Sequence, residues 1–292
     1  MNTINAFTPF GWPIIIYLTL AGLACGASLC AVVFLRTEKT AREGQSYVIA
    51  RTALYVALGS IVLGALLLLY DLQSPGNFYR NFSEFNPSSA IAWGTRIIAV
   101  FIMLCIYSLF LLHSMNSQEK TSPIGPLLTG LLIFFALAVG IYPALVLGQA
   151  SIARPLWEPL LLAPLFLLLG LDSGFALVQL LTFKKWQEDT LEKIRKLDLA
   201  VIIGQIILFA LLLSISTFSE AGMNRLLFGE FSLWFWIGVV LIGWLLPFFF
   251  SFSHSPKKNT IILTQLSLLL GAFALRAVIV FSGQGPQAFI GS

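Results

Sequence analysis

Eight stretches of about twenty apolar residues each divide this chain, and each is long enough to cross a bilayer as a helix. They run over about 12–35, 51–70, 91–113, 125–148, 157–181, 198–218, 232–252 and 260–281. Inside lipid every backbone donor and acceptor must be satisfied within its own segment, so these runs read as helices. Composition agrees, with 58% hydrophobic and 10% charged residues, where a soluble domain carries about 25% charge. The expected fold is all-α integral membrane, with eight transmembrane helices in one membrane domain over residues 1–292. A first four-helix bundle is expected over about 12–148 and a second over about 157–281.

Charge placement gives the orientation. Arg36, Lys39, Arg42, Arg51, Lys120, Lys184, Lys185, Lys193, Arg195, Lys196, Lys257 and Lys258 fall in or beside the odd-numbered loops. The even-numbered loops hold only Arg80, Arg154 and Arg225. The odd loops are therefore read as cytoplasmic, and both termini as periplasmic, in a bacterial inner membrane. The first apolar run is too long for a signal-peptide core and is read as a retained helix. Nucleic acid is not an expected partner, membrane lipid is, and the chain has no soluble domain that could carry a large cofactor. The connector 183–196 (FKKWQEDTLEKIRK) has helical spacing and alternating charge and is expected to lie solvated at the interface, anchored by Trp186.

The most unusual connector is the stretch from Tyr70 to Gly94, rich in Pro, Asn, Ser and aromatic residues. It is longer than two membrane helices need as a join. Asp71 closes the span before it, and Trp93-Gly94 opens the span after it.

Ionisable groups within apolar spans default to functional hypotheses, because burying them is costly. Arg96 lies one turn into the third span, Asp172 well inside the fifth and Arg276 inside the eighth. The plainer alternative is that Arg276 and Asp172 pair with each other and only hold helices together. Tyr17, Tyr142, Tyr70 and Asp71 fall at one depth just under the outer surface. Tyr142 directly precedes Pro143, whose missing donor frees a carbonyl at that level. Cys25, Cys30 and Cys105 lie in apolar runs without metal-ligand spacing and read as packing residues. The two histidines, His113 and His254, both sit at cytoplasmic helix ends. That placement does not suit a bis-histidine haem, which needs facing pairs inside a bundle. No CxxC occurs, so neither an iron–sulfur cluster nor a c-type haem is expected in this chain, and no metal site is expected.

Several short motifs follow one another along the chain. They begin with Trp12-Pro13, Tyr17, Leu20-Ala21-Gly22 and Gly26. Asp71-Leu72, Ser74-Pro75, Phe78, Phe85-Asn86-Pro87-Ser88-Ser89 and Trp93-Gly94 follow. Tyr142-Pro143, Arg154-Pro155-Leu156-Trp157, Pro164-Leu165-Phe166, Ser173-Gly174, Leu275-Arg276 and Gly283-Gln284 complete the series. In this order and spacing the chain resembles the NrfD/polysulfide-reductase family of quinone-reactive membrane subunits. The resemblance implies a haem-free, eight-helix subunit that exchanges electrons between the quinone pool and a peripheral iron–sulfur subunit on the periplasmic face. A molybdopterin catalytic subunit or a multihaem cytochrome would lie beyond that partner.

By the same resemblance Tyr142 contacts the quinone, and Tyr17 occupies a hydrogen-bonding position where some members carry histidine. Ile14 stands where some members place a further polar contact, and Asp172 where relatives can carry serine. Asp71 is placed to exchange protons with the head group. Physical chemistry suits these roles, since oxidising a quinol releases two protons beside the site and needs a nearby acceptor. The expected site is thus Asp71 and Tyr142 as catalytic groups, with Tyr17 and Arg96 completing the quinone-binding set for menaquinone or ubiquinone. Asp172 and Arg276 are candidates for a proton path. Two other readings fit the composition. One is a secondary transporter, which would show inverted repeats with broken helices at the midplane. The other is a passive anchor without quinone chemistry.

Overall fold

A computed structural model describes residues 10–37, 44–71, 90–114, 123–151, 154–186, 188–215, 226–251 and 258–284. Within these, eight helices are long and apolar enough to cross a membrane. They are α1 (Trp12–Thr37), α2 (Gln45–Asp71), α3 (Ala90–Ser114), α4 (Pro126–Gly148) and α5 (Pro159–Leu181). Then come α6 (Glu188–Ile215), α7 (Trp234–Ser251) and α8 (Lys258–Gly283). Both α4 and α5 open on proline, where a missing backbone donor costs nothing. The stretch Trp234–Leu245 of α7 is wound as a π-helix before the chain returns to α geometry at Leu246–Ser251. Such long π segments are uncommon.

The helices meet in two rings. Neighbours in the first are α1 with α2, α2 with α3, α3 with α4, and α4 with α1. The second repeats the pattern with α5, α6, α7 and α8. Between the rings the main contact is α1 against α5, supported by α4 with α5 and α1 with α8. Small residues explain why α1 can lie in the middle. Ala21, Ala24, Ala27, Ser28 and Ala31 are all fully buried on it. At the crossing, Gly22 and Gly26 of α1 face Gly170 and Gly174 of α5. A Cβ on Gly26 would run into the Gly170 carbonyl, and one on Gly174 into the backbone of Gly26 and Ala27. Lipid offers no hydrophobic drive between helices, so this close backbone approach supplies the packing that joins the rings.

The segment 183–196 is solvated as expected, with Glu192 and Lys196 exposed, but most of it is not a separate connector. A single 3₁₀ turn at Phe183–Lys185 follows α5, and α6 begins at Glu188. The charged run thus belongs to the first turns of a membrane helix, where Glu192 and Lys196 pair at i, i+4 with 2.7 Å between them. Trp186 is buried and sits edge-on to Phe34 of α1 at 5.0 Å between ring centroids. Its indole N–H donates to Thr182 Oγ1 at 2.7 Å. It anchors the connector to protein, because its ring has an aromatic partner within reach.

Candidate functional site

Tyr17 of α1 and Tyr142 of α4 are both buried, 4% and 7% exposed, and close enough to interact electrostatically. Each ring lies against a glycine of a neighbouring helix. The Tyr17 ring faces Gly64 of α2, where an added Cβ would stand 3.2 Å from its Cδ2. The Tyr142 phenol lies over Gly94 of α3, where any Cβ would collide with the ring and its hydroxyl. Gly94 is therefore required to seat Tyr142. The Tyr17 hydroxyl is buried and has no hydrogen-bond partner among the described residues. Pro143 follows Tyr142 inside α4, so the Val139 carbonyl lacks its usual helical donor.

Asp71 is the last residue of α2, and its side chain lies outside the described residues, as do residues 72–89 of the long connector. Arg96 is half-buried and donates from Nη1 to the Ala92 carbonyl at 2.8 Å, one turn back on its own helix.

In the second ring Arg276 is almost wholly buried at 1% exposed. Its Nη1 donates to the Ala272 carbonyl at 3.2 Å and its Nη2 to the Phe166 carbonyl at 3.4 Å. The guanidinium stands 5.7 Å from the Phe166 ring centre and fills the notch left by Gly22. Asp172 is also buried, and its Oδ2 accepts a hydrogen bond from Gln205 Nε2 at 3.0 Å. Trp244 Nε1 in turn donates to Gln205 Oε1 at 3.3 Å. Arg276 and Asp172 influence each other electrostatically without forming an ion pair. Simple mutual pairing is therefore not what holds them.

Sequence reasoning missed Asp198, Gln205, Gln265 and Gln179, all buried in the second ring. Asp198 is paired with Gln265 of α8 and interacts with Asp172 across the helix interface. The signal was periodic. Asp172 and Gln179 are seven residues apart on α5, as are Asp198 and Gln205 on α6, while Gln265 and Arg276 are eleven apart on α8. Each spacing is close to a whole number of helical turns, so each pair shares one face. All three cysteines are buried and free. Among the described residues no three His, Cys, Asp or Glu gather as a metal group.

The family model described as "Polysulphide reductase, NrfD" matches residues 2–286. The chain belongs to the NrfD polysulphide reductase family. The C polypeptide of the polysulfide reductase of Wolinella succinogenes is 28% identical, over 96% of this chain and 95% of the relative. Protein NrfD of Escherichia coli is 24% identical, with 94% of each sequence covered. The C polypeptide of the selenate reductase of Mesobacillus selenatarsenatis is also 24% identical, over 100% of this chain and 78% of its own length. The NrfD-family assignment makes this a multi-pass membrane protein of the kind that serves as a membrane subunit of reductase complexes.

For an NrfD-family chain, the tyrosine pair is the part of the first ring best fitted to a quinone. A quinone offers two carbonyl acceptors on an apolar disc and needs a few donors in an apolar wall. The buried, unpartnered Tyr17 hydroxyl is such a donor, and the rings of Tyr17 and Tyr142 supply apolar wall.

Proposed function

We propose that this chain is the quinone-reactive membrane subunit of a respiratory reductase complex. It oxidises menaquinol or ubiquinol, or reduces the quinone when the complex runs in reverse, and exchanges electrons with a peripheral iron–sulfur subunit. That partner docks on the periplasmic face, beside the ends of α2 and α3, and leads on to a molybdopterin subunit or a multihaem cytochrome. The chain lies in the inner membrane with both termini periplasmic, as the lysine and arginine distribution supports.

One observation carries this reading: a buried tyrosine hydroxyl without a partner among the described residues, next to a second buried tyrosine. An unsatisfied buried hydroxyl costs about 1–3 kcal/mol, so a protein that retains one gains when a ligand completes it. In the proposed mechanism Tyr17 and Tyr142 hold the quinone oxygens. Asp71, at the end of α2, accepts the proton released on oxidation, and Arg96 steadies negative charge nearby. Asp172 and Arg276 stand further in, on the way to the opposite side.

The test is quinol-driven reduction of the partner's clusters by the purified complex, comparing wild type with Tyr142→Phe and Asp71→Asn. Recovery of the iron–sulfur partner verifies assembly. Loss of cluster reduction with assembly intact supports the site at the outer end of the first ring. Unchanged rates in both variants would refute that assignment.

A further inference from the structure

The second ring carries a set of buried polar groups that quinone binding leaves unused. Read from the lysine-rich end, Asp198 with Gln265 comes first. Asp172 with Gln205 and Trp244 follows, and Arg276 stands at the top. From Gln265 to Arg276 the column rises about 16 Å at the helical rise per residue. That is roughly half of a ~30 Å hydrocarbon core.

Its lower end approaches water, since Asp198 follows Lys196 by two residues, and the Lys196 side chain is 72% exposed. Its upper end reaches α1, where the guanidinium occupies the Gly22 notch, five residues along the helix from Tyr17.

Two features distinguish this column from a knot that merely ties helices. A structural network in hydrocarbon should satisfy every member, since a half-satisfied one is worse than an apolar core. Here Asp172 Oδ1, Arg276 Nε and Gln179 Oε1 are buried without partners among the described residues. Polar atoms so placed suit bound water, which bridges groups that do not touch. Charge balance is the second feature. The charged side chains that bear on Asp172 are Asp198 of α6 and Arg276 of α8, and α7 has no ionisable residue from Trp234 to Ser251. Nearby on the solvated turns of α6 are Glu192, Lys193, Arg195 and Lys196. One guanidinium and two carboxyls can be buried as a neutral set only if the carboxyls share one proton.

We propose that Asp198 and Asp172, bridged by Gln265 and Gln205, form a proton-transfer route from the lysine-rich end of the second ring to Arg276. Asp198 passes its proton to the Asp172 carboxylate and regains one from the aqueous phase. Asp172 returns to the carboxylate by giving its proton to water bound between its Oδ1 and the Arg276 guanidinium. The guanidinium stays cationic, while that water releases the proton toward the far end of the ring. Only O–H bonds break and form, and no oxidant is consumed. Coupling of this route to turnover rests on the quinone reading above. The shared proton itself does not.

The experiment uses the whole complex with its partner subunits, reconstituted in vesicles. Their orientation is set by protease access to the Lys193–Lys196 segment, and 2,3-dimethyl-1,4-naphthoquinol is the electron donor. Two signals are followed: reduction of the partner's clusters, and a pH-sensitive dye in the compartment facing the lysine-rich end. Infrared spectroscopy, run without quinol, looks for the C=O stretch of a protonated carboxyl that shifts in D₂O.

Wild type should show the infrared band, and a dye signal in step with cluster reduction. Asp198→Asn should reduce the dye signal at least about ten-fold while uncoupled cluster reduction stays within about two-fold. Asp198→Glu should restore the dye signal. Asp172→Asn should abolish the infrared band. Dye and infrared signals unchanged in both asparagine variants would overturn the proposal, and so would a wild type that reduces clusters without a dye response. An infrared band lost in Asp172→Asn, in a complex that quinol cannot reduce, would refute the quinone reading and leave the proton-sharing carboxyls standing.

Discussion

In the first ring the buried polar atoms near one end include the hydroxyls of two separate tyrosines, each seated against a glycine of another helix. In the second ring they are carboxyls and amides joined across helices, with Gln205 of α6 linking Asp172 of α5 to Trp244 of α7. The first arrangement leaves a donor open to something from outside the chain. The second shares polar groups internally and extends along the membrane normal. The contrast suggests a division of labour, with ligand exchange in one ring and proton handling in the other. Both depend on the glycine crossing that holds α1 against α5.

The largest effect should come from breaking that crossing. Gly174→Leu forces a side chain into the backbone of Gly26 and Ala27, and no flexible group there can yield. The expected outcome is loss of the folded subunit, read as failure to recover the complex on size exclusion. Gly59→Ala is the control, since an added Cβ there meets nothing within 4 Å. It should leave stability unchanged or raise it by about 0.5–1 kcal/mol.

The next effect separates the rings by function. Tyr142→Phe should lower quinol-driven cluster reduction by about 100-fold, the scale of a lost proton-transfer or hydrogen-bonding group. Thermal stability of the complex should change little. An equal loss of rate from Gln205→Leu would collapse the distinction between the rings.

Gln205→Leu removes the donor to Asp172 and the acceptor for Trp244 together. It should cost about 1–3 kcal/mol in unfolding measurements in detergent, because partners are left buried and unsatisfied. A double-mutant cycle with Trp244→Phe should show coupling of at least about 0.5 kcal/mol. At the bottom of the scale, Lys196→Ala breaks the Glu192 pair on a solvated helix surface. No measurable change in melting temperature is expected there, and a clear loss would mean that the charged start of α6 contributes to the ring.

The spans were legible because bilayer thickness acts directly on composition. Every one of the eight apolar runs coincides with a membrane-length helix, and Trp12 opens α1 as read. The helical spacing of Glu188–Lys196 was legible too, but its unbroken run into α6 was not, because the stretch is charged and solvated where a span is expected to be apolar. Tyr17 and Tyr142 could be picked out as polar groups at one depth, and the structure places them together. That Gly94 seats Tyr142 could not be read, since it is a contact between α3 and α4 that no local pattern encodes. Asp198 was missed for a different reason. Two residues beyond Lys196, it reads as a boundary charge, and only its seven-residue spacing to Gln205 marks an inward face.

One feature, at the end where α1 begins and α8 stops, ties the two halves together. The backbone N–H of Phe10 donates to Gln284 Oε1 at 3.0 Å, and Gln284 Nε2 donates back to the Phe10 carbonyl at 3.0 Å. Beside this clasp, Phe10 packs on Trp157, whose indole N–H donates to the Ile279 carbonyl at 3.1 Å. This end is tied by hydrogen bonds between the halves and the lysine-rich end by the ring contact of Trp186 with Phe34, so the stiffer tie is the clasp. Any rocking of one half against the other is smallest beside the clasp and grows with distance from it, as in a pair of shears. In the complex proposed above, the clasped end would be a fixed stage, where a gap between electron donor and acceptor keeps its length. The lysine-rich end has the long lever arm and is the place to look for motion during turnover.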